Sequence, residues 1–122
     1  MASLKLIQPQ EIEVLYLLPA IRRQLSMDMK KAGKGQKEIA MLLCVTESAV
    51  SQYLKSKRAS KVVFHQEQLT AISNAAKKIK NTKSMLFETQ KLLKDMKKSG
   101  FLCEVHKKLT NLPSGCSECM SK

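Results

Sequence analysis

The sequence predicts an all-α protein: a helix-turn-helix domain, then a helical hairpin, then a short Cys/His metal-binding tail. Three observations carry this. Apolar residues recur every three to four positions along most of the chain, the period of an amphipathic helix. The stretch from Gln36 to Leu54 reads as two short helices joined by a tight turn. Three of the four cysteines fall within the last twenty residues. The expected boundaries are residues 1–60, 61–100 and 101–122.

Taken in order, Glu11–Leu18 is the least decided segment. Ile12, Val14 and Tyr16 alternate, yet the run also fits a helix, and helix is the reading adopted. Ile21, Leu25, Met29 and Ala32 recur at i, i+4, i+8 and i+11 on a helix starting near Pro19, whose missing N–H costs nothing in a first turn. Gly33 and Gly35 close it, with Lys30 and Lys31 in its last turn where the helix dipole favours cations. A second helix over Gln36–Leu43 buries Ile39, Ala40 and Leu43. Thr46 caps a third helix running to Lys55. Ser56–Lys61 is polar and basic and reads as a connection. Leu69, Ile72, Ala76 and Ile79 predict a further helix, and Met85, Leu86, Leu92, Leu93 and Met96 another, ended by Ser99 and Gly100. A last helix spans about Leu102–Leu109, ahead of a turn at Leu112–Gly115.

Composition narrows the function classes. The 122 residues carry 22 Lys+Arg against 10 Asp+Glu, a net charge of +12. A body this small and this basic fits a polyanionic partner, nucleic acid or an anionic membrane surface. The excess is spread out, with ten basic and five acidic residues in 1–60 and twelve and five in 61–122. The longest apolar run, Val14–Ile21, is broken by Pro19 and is too short to span a membrane. No basic start, apolar stretch and cleavage site opens the chain, so a cytoplasmic protein without membrane attachment is expected.

Gln36–Leu54, QKEIAMLLCVTESAVSQYL, is the most specific feature. A helix-turn-helix needs a small residue where its second helix crosses its first, and Ala40 supplies it. Ile39, Leu43, Val45, Val50 and Tyr53 hold the two helices together. Cys44 occupies a turn position that favours glycine, because the backbone there tends to positive φ. The outward residues suit a DNA duplex. Gln52 can pair bidentately with adenine, Ser48 and Ser51 can reach base or phosphate, and Glu47 can accept from a cytosine amino group. Gln36, Thr46, Lys55, Lys57 and Arg58 complete the expected DNA-binding set, the last two gripping phosphates at the helix exit.

LLPAIRRQL followed by KGQKEIAMLLCVTESAVSQYLKSKR resembles the lambda-repressor-like (XRE-family) helix-turn-helix of archaeal-type transcriptional regulators. It is similar in particular to the N-terminal domain of archaeal thiamine-biosynthesis repressors. The resemblance covers about residues 11–60. It implies sequence-specific binding of double-stranded DNA by a homodimer, with the Thr46–Lys55 helix in the major groove. The large ligand-binding domain of those repressors has no counterpart within the 122 residues. Sensing is therefore expected from the second half.

The tail arranges Cys103-X2-His106-X9-Cys116-X2-Cys119. In an intracellular chain such clustering reads as a metal site before it reads as disulfides. Three thiolates and an imidazole make a closed tetrahedral shell for Zn²⁺. The same cysteines can hold an iron–sulfur cluster (4Fe–4S), with His106 or an outside molecule as fourth ligand. Zinc is slightly favoured and the choice stays open. Short archaeal-type regulators carry similar Cys-rich ends, sometimes with a further C-X2-C upstream. Here Phe87–Gln90 has no cysteine. His65 has no acidic or Cys partner at ligand spacing and reads as a surface residue.

No nucleophile motif, phosphate loop or HExxH is present, and no enzyme is expected. The leading expectation is a dimeric DNA-binding transcriptional regulator with a structural or redox-sensing metal site. Two alternatives are an RNA-binding, translation-associated adaptor with a zinc knuckle, and an antitoxin-like DNA-binding partner protein. The 4% aromatic content counts against the RNA reading, since single strands are recognised largely by stacking.

Overall fold

The computed structural model describes residues 8–55 and 62–110. All regular structure among these residues is helical: α1 (Pro9–Ile12), a π-helical turn (Glu13–Leu17), α2 (Leu18–Lys31), α3 (Gln36–Leu43), α4 (Glu47–Lys55), α5 (Gln66–Lys78), α6 (Thr82–Lys98) and α7 (Phe101–Thr110). The all-α expectation holds. Glu11–Leu18, the ambiguous stretch, is helical throughout.

α2 starts at Leu18, next to Pro19 as expected, but helical backbone already precedes it. Proline has no N–H for the carbonyl four residues back, and its ring collides with that carbonyl in a regular α-helix. The chain relieves this just ahead of the proline by widening one turn. The Leu18 N–H bonds the carbonyl of Glu13, five residues back. Such an extra residue per turn is the signature of a π-bulge.

α2 is the central strut and packs against α3, α4 and α5, while α7 closes the other side against α1 and α6. One hydrophobic cluster extends from Ile12 to Val105. Ile21, Leu25 and Met29 form its spine, each at most 1% exposed. Truncating such a side chain, Leu25→Ala for instance, removes about 2–5 kcal/mol.

Three stripe positions depart from expectation, the first being Leu69, which is half-exposed while Gln68 beside it is buried. Ala32 is exposed, because it is the C-cap of α2 and already turns out of the helix. Leu86 is 55% exposed. The inward face of α6 runs through Met85, Thr89, Leu92, Leu93 and Met96, which leaves Leu86 a residue off the stripe. Glu88 and Thr89 are buried in its place, at 8% each.

Among the described residues no helix is long and apolar enough to cross a membrane.

Candidate nucleic-acid interface

The α3–α4 pair is built from its turn outward. Cys44 lies in the left-handed region at φ 57°, ψ 42°, the one non-glycine residue with positive φ among those described. Two bonds surround it: the Cys44 N–H reaches the Met41 carbonyl at 3.3 Å and the Val45 N–H the Ala40 carbonyl at 3.0 Å. This 6→1 and 5→2 pattern is a Schellman closure, which reverses the chain within a few residues. The position normally suits glycine, and a side chain there costs about 1–2 kcal/mol.

Thr46 then opens α4, its Oγ1 accepting the Ala49 N–H at 3.0 Å. The side-chain amide of Gln36 donates to the Glu47 carbonyl at 3.0 Å, so the first turns of α3 and α4 are joined directly. Ile39, Leu43 and Val50 are at most 2% exposed and Ala40 5%. Val45 is half-buried against the same core, and Tyr53 is half-exposed.

On the outer side, Thr46, Glu47, Ser48, Gln52 and Lys55 are exposed, and Gln36 and Ser51 are half-exposed. The structure thus gathers these seven polar residues around one helix pair. Lys57 and Arg58 lie outside the described residues.

Comparison of the chain with protein-family models, curated proteins and solved structures gives no match.

The expected metal ligands divide. Cys103 and His106 lie one turn apart on α7, each 3% exposed, against the helices that close the core. A thiolate and an imidazole at i, i+3 are a sound half-shell for zinc, and a buried one excludes water from it. Cys116 and Cys119 lie outside the described residues, and among the described residues no group of three or more donors converges.

Two features escaped sequence reasoning. His65 has an acidic partner, Glu104, at 2.9 Å from its Nε2. Their separation of 39 positions hides the pair from any local spacing rule. Phe101 lies against both Phe64 and His65, with ring centroids 5.7 and 5.5 Å apart, so the segment entering α5 is held on α7. Asp28 is the other. Gln24 donates to its Oδ1 at 3.4 Å, but its Oδ2 is buried without a hydrogen-bond partner. Burial raises the Asp28 carboxyl above its ordinary pKa, against the Gln24 bond and the Lys31 charge, which lower it.

Proposed function

We propose that the chain is a sequence-specific regulator of transcription, binding double-stranded DNA as a homodimer through a helix-turn-helix formed by α3 and α4. The observation that carries this is the joined pair itself. Gln36 ties the start of α3 to the start of α4, the turn closes tightly at Cys44, and Ala40 is buried in the core. A helix braced at its N-terminal end, with polar residues leading outward, is suited to entering a major groove end-on. The net charge of +12 supports the same reading through counterion release at the phosphates.

In this reading Gln52, Ser48 and Glu47 meet base edges. Gln36, Thr46, Ser51 and Lys55 position the helix, and Lys57 and Arg58 hold the backbone where α4 ends. The tail, with Cys103, His106, Cys116 and Cys119, would carry Zn²⁺ or a 4Fe–4S cluster. Its contribution would be to anchor the chain end on α7 and, in the cluster case, to make that anchorage redox-dependent.

The deciding experiment is competition between duplex DNA and structured RNA for the full chain at matched salt. The account expects duplex to win, with a steep salt slope and a marked preference for one palindromic sequence from a random pool. Preference for RNA, or equal affinity for all duplexes, overturns it.

A further inference from the structure

The lysines of the second half have no task in the scheme above, and four of them fall within seven residues where α5 turns into α6. From Gln68 to Phe87 the chain has no acidic residue. In space Lys77 shares a surface depression with Asp28, and Lys78 one with Glu88 and Asp95, while Lys80 and Lys83 stand at the corner itself. All four are exposed, and among the described residues none of them forms an ion pair.

The corner is firmly held. Ile79 between the lysines is 2% exposed and anchors the junction in the core. Ser84 Oγ accepts the N–H groups of Lys80 and Asn81 at 2.8 and 3.0 Å, and Asn81 Oδ1 accepts the Ser84 N–H at 2.9 Å. The backbone that carries the charges is therefore fixed, while the lysine side chains are free to reach outward.

Its position matters most. α6 packs on α3, and Thr82 Oγ1 lies 3.4 Å from Cys44 Sγ. Cys44 stands two residues before Thr46, the cap of α4. The basic corner thus borders the turn of the α3–α4 pair, although it comes from a part of the chain about forty residues further on.

We propose that this corner is a second contact surface for duplex DNA, binding phosphates that flank the stretch met by α4. The proposal rests on the reading of α3–α4 given above. Partner and chemistry are the same, and a corner whose charge is carried by lysines acts mainly on phosphates, so it contributes affinity and footprint rather than sequence choice.

The test uses the full chain and a random-sequence duplex of about two helical turns, with affinity measured across a salt series. Each phosphate contact adds about 0.9 to the slope of log K against log[salt]. Lys80→Ala/Lys83→Ala should therefore lower the slope by about 1.8, and Lys80→Arg/Lys83→Arg should keep it. The control is Lys97→Ala/Lys98→Ala, which removes the same charge from the far end of α6, about 21 Å away at 1.5 Å per residue. That pair should leave the slope nearly unchanged. Equal losses from both pairs would mean net charge alone is at work and overturn the corner. No loss from the corner pair would overturn it too, and in either case the reading of α4 stands if the wild type prefers duplex. A wild-type chain that does not bind duplex overturns that reading first.

Discussion

The side chain of Gln36 donates to the main-chain carbonyl of Glu47 at 3.0 Å, across eleven positions of sequence. This bond links the start of α3 to the start of α4, adding to the buried contacts that α3 and α4 make with each other and with α2. Gln36→Ala removes a neutral hydrogen bond on a partly solvated surface and should cost about 0.5–1.5 kcal/mol of stability. Chemical denaturation measures that cost. In the proposed function the same variant also weakens duplex binding, because α4 loses its brace; unchanged affinity would mean the bond is structural only.

Cys44 carries left-handed backbone without being glycine. Cys44→Gly should raise stability by about 0.5–1 kcal/mol, the relief of side-chain strain less the entropy a glycine adds to the unfolded chain. Cys44→Val should lower it, since a branched β-carbon tolerates positive φ worse. Thermal melts of the two variants should therefore shift in opposite directions. A shift in the same direction would show that the contact with Thr82, not the backbone, governs this position.

Asp28 links stability to pH. Its folded pKa is raised by burial above the ordinary 3.8. A raised carboxyl favours folding when protonated, so its contribution is full below 3.8 and is lost as pH rises through the folded value. At neutral pH the ionised group is a cost. Asp28→Asn keeps an acceptor for Gln24 and should melt higher than wild type at pH 7. The difference should shrink towards zero as the pH falls below the carboxylate range. Melting temperatures of both proteins over an acid-to-neutral series test this; a constant offset would contradict it.

The buried pair on α7 gives a metal test. Protein purified without oxygen should be colourless and hold one Zn²⁺ per chain, lost on replacing Cys116 and Cys119 together with serine. Brown protein with iron and sulfide would move the assignment to the cluster. Metal-free protein of unchanged stability would remove the site.

Much of the helical frame is legible because its signal is local. The stripe of Ile21, Leu25 and Met29 and the spacing around Ala40 require only periodicity and residue size. Gln36–Leu43 and Thr46–Lys55 stand where those patterns put them. The π-turn before Pro19 is not legible, because proline in a first turn and proline relieved by a bulge look alike in sequence. Leu86 misled because two adjacent apolar residues leave the phase of a stripe undecided, and Met85 and Thr89 settle it. His65–Glu104 and the corner beside Cys44 depend on chain segments some forty residues apart. Only the packing of α7 and α6 brings them together.

The central claim is that α4 reads a DNA duplex. Its most direct test compares Gln52→Ala with Lys57→Ala on the palindrome selected by the wild type and on random duplex. Gln52→Ala should cost about 1–3 kcal/mol on the selected sequence and little on random DNA, while Lys57→Ala should weaken both alike and flatten the salt dependence. If Gln52→Ala lowers the two affinities equally, α4 is not the reading helix.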